Sequence, residues 1–165
     1  MKLVRFGAPG CERPGVWLDD TPTPGQASIL DVRRLAFDLE DYNAFFFAHG
    51  GPDRLAGLLR ESAIPLVPAA GVRLGPPIAA PSQIICLGKN YAAHAAEFDG
   101  QAPTVPIFFG KATSAVIGPY DPIVLPAGAH RVDGEVELAA VIGRAAHRVT
   151  AADALRHVAG YTILN

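Results

Sequence analysis

Residues 64–82, IPLVPAAGVRLGPPIAAPS, carry five prolines. Each proline locks φ and removes a backbone donor, so no helix and no central strand can run through this stretch. It is expected to be an extended linker or a crossing at a sheet edge. The chain therefore reads as a small N-terminal region over residues 1–72, a linker over 73–82, and a second region over 83–165. With 15 prolines and 17 glycines in 165 residues, turns and extended segments should dominate, which suits a β-rich fold better than a helix bundle.

In the first region KLVRF alternates as a strand does, and GVWLDD is a second short strand. Two helical patches follow, LEDYNAFFFAH and PDRLAGLLRESA. In the latter, Leu55, Leu58 and Leu59 recur at helical spacing, and Pro52 stands near the start, where proline is tolerated.

The second region has a different texture. QIICLG, VPIFFGK and PIVLP read as short extended pieces, KNYAAHAAEF as one or two helical turns, and TAADALRHV as a helix capped by Thr150 with Asp153 in its first turn. GEVELAAVIG is a long strand, expected to be buried over Val136–Ile142, and GYTILN a last one. No repeat or low-complexity segment is present. The apolar run at the end has neither charge nor turn after it, so further chain or a partner is expected to cover its edge.

Glu135 and Glu137 stand at the head of that long strand. Alternation places them on one face, where two like charges repel. Two arrangements relieve this. The pair can be solvated at an exposed strand end or matched by Arg131 or Arg144, or it can hold a hard divalent cation through carboxylate oxygens. The spacing is compatible with both.

His94 and Glu97, in NYAAHAAE, lie at i and i+3 and share a helix face. A carboxylate that fixes an imidazole tautomer makes a general base, although an incidental surface pair has the same spacing. Lys111 follows IFF at a strand end, where it either holds an anionic substrate or terminates the strand. His49, in FAHGGPD, is read as ending a helix before Gly50, and His130, His147 and His157 lack the spacing of a zinc site.

Several function classes fall away. A net charge of −2 with no basic block leaves no footprint for nucleic acid. No apolar run approaches the roughly 18 residues of a membrane helix. The G-x-S-x-G, Walker A and G-x-G-x-x-G patterns are absent. Cys11 and Cys86 are far apart, and MKLVRFGAPG has no apolar signal core, so a cytoplasmic protein with reduced thiols is expected.

In order, IICLGKNYAAHAAE (84–97), PIFFGKATSAVIGPYDPIVLP (106–126), VDGEVELAAVIG (132–143) and AADALRHVAGYTILN (151–165) resemble the fumarylacetoacetate hydrolase family. MKLVRFGAPGCERPGV looks like the small N-terminal region of members related to acylpyruvate and diketo-sugar-acid hydrolases. The resemblance implies a mixed α/β, β-rich fold: a β roll of that family, incomplete here, preceded by a small N-terminal α+β region. The full-length form would be a homodimer.

It also implies a chemistry. Glu135 and Glu137 match metal ligands for Mg²⁺ or Mn²⁺, with Ca²⁺ suited to the same oxygen donors. His94 and Glu97 match a catalytic dyad that activates water, and Lys111 a position near the active site. A 2-oxo or 2,4-diketo acid substrate would chelate the cation, and water would attack its distal carbonyl before the carbon–carbon bond breaks. Oxaloacetate decarboxylase and ureidoglycolate lyase chemistry use the same arrangement. The family's third ligand, an Asp, directly follows the strand that matches GYTILN. As written, the chain would carry two of three ligands, and an inactive truncated chain is the remaining expectation. Gly134 also departs from the aromatic that many members carry there.

Overall fold

The computed structural model describes residues 1–61, 65–98 and 103–165, without the side chains of Glu61, His94, Glu97 and Phe98. Two compact units result, one formed by Met1–Ala79 with Ile117–Asn165, the other by Ala80–Val116. Among the described residues no helix is long and apolar enough to cross a membrane.

The larger unit is built on an antiparallel five-stranded sheet of β1 (Lys2–Phe6), β2 (Arg13–Leu18), β3 (Ser28–Asp31), β4 (Leu66–Pro68) and β5 (Leu74–Gly75), in the order β4-β3-β2-β1-β5. The proline-dense segment thus supplies both edge strands, where a missing backbone donor is tolerated. The strands alternate faces as a period of two requires. Val16 and Leu30 face one way, towards α1 (Val32–Leu35), α2 (Ala44–Ala48) and α3 (Gly51–Glu61), and pack with Val32, Tyr42, Phe46 and Leu55. Phe6 and Ile29 face the other way and meet Trp17 and Leu74. Gly15 allows that close layer, since a Cβ there would lie 2.6 Å from Ile29 Cγ2.

Local chemistry explains the helix limits. Asn43 caps α2 through its side chain, which accepts from the Phe46 N–H at 3.0 Å, so the patch read as LEDYNAFFFAH is helical only from Ala44. Asp41, earlier in that patch, instead accepts two bonds from Arg5, at 2.7 and 2.8 Å. β3 and α1 escaped the sequence reading. All four residues of β3 are buried, so it shows no polar alternation.

The smaller unit holds β6 (Ile84–Gly88), α4 (Ala92–Phe98) and β7 (Ile107–Lys111), with β6 and β7 paired antiparallel and Ile84 opposite Lys111. A 3₁₀ turn over Thr113–Ala115 follows. PIVLP, read as extended, joins no sheet. Its Ile123, Val124 and Leu125 are exposed, and the flanking prolines leave it short of ladder donors.

Back in the larger unit, β8 (Glu137–Ile142) pairs antiparallel with β9 (Val158–Leu164). Between them Thr150 caps α5 (Ala151–Ala154) as its sequence predicts, its side chain accepting from the Asp153 N–H. A 3₁₀ turn, Leu155–His157, then leads into β9. Here the expectation of a fully buried strand is corrected. On one face Val141 packs on the core of the helices; on the other Leu138, Ile142, Tyr161 and Ile163 are exposed. Continuous apolar sequence reports capacity for burial on both faces, whereas this hairpin fills only one.

Candidate metal-binding carboxylates and neighbouring residues

β8 connects two different environments. At its C-terminal end Gly143 is packed so closely that a Cβ would lie 2.6 Å from the Ala159 Cβ and 3.3 Å from the Phe47 Cβ. That contact and the burial of Val141 anchor the strand. At the other end Glu137 is half-buried opposite Leu164, and Glu135 is exposed just before the strand begins.

The carboxylates reach this place through hairpin pairing. Glu137 shares the half-buried face of β8 with Ala139 and Val141. One step beyond the backbone ladder, the Glu135 N–H donates to Asn165 Oδ1 at 2.7 Å. The Asn165 side chain therefore prolongs the pairing past Glu137 and orders the backbone that carries Glu135. Sequence reasoning stopped at the two glutamates and assigned Asn165 nothing. The contact joins residues 30 positions apart and follows from the β8–β9 register, which no local pattern in the sequence fixes.

Neither Glu135 nor Glu137 makes a side-chain ion pair or hydrogen bond among the described residues. Arg131 and Arg144, the cations considered as partners, do not meet them. The pair is two hard oxygen donors left uncompensated, a donor set that fits Mg²⁺ or Mn²⁺. No group of three or more His, Cys, Asp or Glu suited to a metal occurs among the described residues.

The remaining predicted residues belong to the smaller unit. α4 carries His94 and Glu97 at i and i+3, while their side chains lie outside the described residues. The helix rests on Ala95, which is buried. Lys111 ends β7, is exposed, and has its Nζ 5.9 Å from the centre of the Phe109 ring, at the outer reach of a cation–π contact.

A second charged cluster stabilises the larger unit. Arg73 donates to Asp121 and, at 2.8 Å, to Glu12, while its Nη1 also reaches the Gly7 carbonyl at 3.0 Å. Burial raises the Glu12 carboxyl, but the Arg73 hydrogen bond and the charges of Arg5 and Arg73 outweigh it and hold that group below its ordinary range. Hydrogen bonds from Arg73 and the Gly118 N–H lower the Asp121 carboxyl.

Comparison with known proteins places residues 83–165 in the family described as fumarylacetoacetate (FAA) hydrolase C-terminal. Oxaloacetate tautomerase Fahd2a, mitochondrial, of Rattus norvegicus is 35% identical over 99% of this chain and 51% of its own length. A 5-carboxymethyl-2-hydroxymuconate delta-isomerase from Mycobacterium smegmatis superposes with a TM-score of 0.67 at 34% identity, covering 99% of this chain and 53% of the other. Maleylpyruvate hydrolase from Sphingobium sp. SYK-6, solved in complex with manganese(II) and pyruvate, gives a TM-score of 0.70 at 30% identity, with 99% and 57% covered. The chain spans about half the length of the curated relatives it matches.

Proposed function

Because the chain belongs to the fumarylacetoacetate hydrolase family, we propose that it forms the first part of a metal-dependent enzyme that cleaves a carbon–carbon bond in an acylpyruvate or related 2,4-diketo acid. The observation that carries this reading is the pair Glu135 and Glu137, two carboxylates at one strand end without a cationic partner among the described residues.

Mg²⁺ or Mn²⁺ held there would supply Lewis-acid polarisation of a 2-oxo-carboxylate. The two glutamates fix the position of that end of the substrate. His94, oriented by Glu97, takes a proton from water as the oxygen attacks the distal carbonyl. The bond between that carbonyl carbon and the neighbouring methylene then breaks, its electron pair leaving on pyruvate enolate. The proton held by His94 passes to the former methylene carbon of the enolate, so the products are a carboxylic acid and pyruvate. Lys111 supplies positive charge for the anionic substrate. Cytoplasmic location and a homodimeric full-length form complete the reading.

A second reading is keto–enol tautomerisation of oxaloacetate, favoured by the rat relative at 35% identity over 99% of the chain. It keeps the same carboxylates and needs His94 only to move a proton between carbon and oxygen.

Mn²⁺ titration of the 165-residue chain, followed by calorimetry or electron spin resonance, tests the site. Saturable binding that Glu135→Gln removes supports it; unchanged affinity in that variant overturns it. Assays of the full-length protein on acylpyruvate and on oxaloacetate then separate the readings, through release of pyruvate or loss of enol absorbance.

A further inference from the structure

A second site lies at the other end of β8. The strand spans six residues, about 20 Å of extended chain, from Glu137 to a cavity of about 190 Å³ between α3 and the β8–β9 hairpin. Phe47, Pro52, Val158 and Ala159 give its lining an apolar part. Arg144, Arg156 and His157 line it as well.

The cationic groups are held there by backbone geometry. The His157 carbonyl accepts from both the Gly143 N–H, at 2.9 Å, and the Arg144 N–H, at 3.3 Å. This places Arg144 beside the end of the 3₁₀ turn that carries Arg156. The Arg144 guanidinium has no partner among the described residues. Arg156 is largely exposed and pairs with Asp153 at 3.2 Å. His157 Nδ1 is buried with no hydrogen-bond partner among the described residues.

Asp53, in the first turn of α3, also lines the cavity. Arg156 is matched by Asp153, so Arg144 is the guanidinium of the lining left without a partner among the described residues, which suits a single negative charge rather than a polyanion. The volume equals about six waters at liquid density. We infer that this cavity binds a small organic monocarboxylate, its carboxylate on Arg144, Arg156 and His157 and its apolar body on Phe47 and Pro52. The site is independent of the reading given to Glu135 and Glu137.

Calorimetric titration of the 165-residue chain with benzoate at low ionic strength tests this, with benzyl alcohol and inorganic phosphate as comparison probes. Saturable benzoate binding is expected, with a Kd on the order of 1 mM. Arg144→Gln and Arg156→Gln should each weaken it about tenfold, as loss of a charge-assisted bond does. Arg148→Gln, exposed and outside the cavity, should leave it unchanged. Benzoate should also shift the His157 ring resonances. Absent saturation, equal affinity in Arg144→Gln, benzyl alcohol binding as well as benzoate, or phosphate displacing benzoate at equal concentration would each overturn the assignment.

Discussion

Arg73 grips Asp121 through two nitrogens, with Nε 2.8 Å from Oδ1, and so ties the edge strand β5 to a residue 48 positions later. The same guanidinium holds Glu12. One side chain thereby joins the start of the sheet, its last strand and the point where the chain rejoins the larger unit.

Acid should loosen this joint. The Glu12 and Asp121 carboxyls are held below their ordinary values, so the unfolded chain binds more protons than the native one at mildly acidic pH. Their stabilisation is fully present above the unfolded values, about 4, and is lost as pH falls through the lower folded ones. Thermal melts from pH 7 to pH 3 should show a falling Tm that flattens in Arg73→Gln. A variant with the same slope as the parent would exclude this network as its source.

Arg5 is a harder test of the same region. Its side chain is only 10% exposed and makes two bonds to Asp41. Arg5→Leu leaves the Asp41 carboxylate part-buried without its partner, and about 3–5 kcal/mol of stability should be lost in urea unfolding.

Tyr42 donates a 2.8 Å hydrogen bond to the Gly15 carbonyl across the layer between helix and sheet. Burial, with the Asp41 charge nearby, pushes its hydroxyl above the ordinary range, so it stays a donor at any working pH. Tyr42→Phe keeps the ring and strands the Gly15 acceptor; the expected cost is about 1–2 kcal/mol, read from the denaturation midpoint.

Gly143 has no room for a side chain. Gly143→Val should force the end of β8 away from Ala159 of β9 and from Phe47, at about 1–3 kcal/mol. Because β8 also carries Glu137, Mn²⁺ affinity should fall together with stability. An unchanged unfolding midpoint would show that the hairpin is not anchored there.

At the carboxylates themselves, Glu137→Gln should lower Mn²⁺ affinity at least about tenfold. Asn165→Ala should lower it less, since it removes only the bond that orders the Glu135 backbone. Equal losses in the two variants would mean that Asn165 acts as more than a support.

What could be read in advance follows the physics of each element. α3 announced itself through leucines at helical spacing, and β1 through the alternation of KLVRF. β3 is buried throughout, and its four residues show no period. The edge strands β4 and β5 hide among prolines, where pattern stops at extended chain and only pairing makes a strand. At the candidate site, the strand that carries Glu137 was legible from its apolar run, although it begins at Glu137 and leaves Glu135 outside it. The absence of an arginine beside them, and the Asn165 contact from the opposite strand, depend on pairing across residues far apart in sequence.

The position of those prolines has a consequence for how this chain misbehaves. Pro68 lies within one outer strand of the five-stranded sheet, and Pro76 directly follows the other. Each removes a donor that an incoming strand would need, so the sheet is poorly suited to recruit neighbouring molecules or propagate into fibrils. Aggregation of concentrated solutions should instead start at the two-stranded hairpins, where Ile85 and Phe108, or Leu138 and Ile163, face outward. A charged residue at Ile163 would improve solubility more than any change on the sheet.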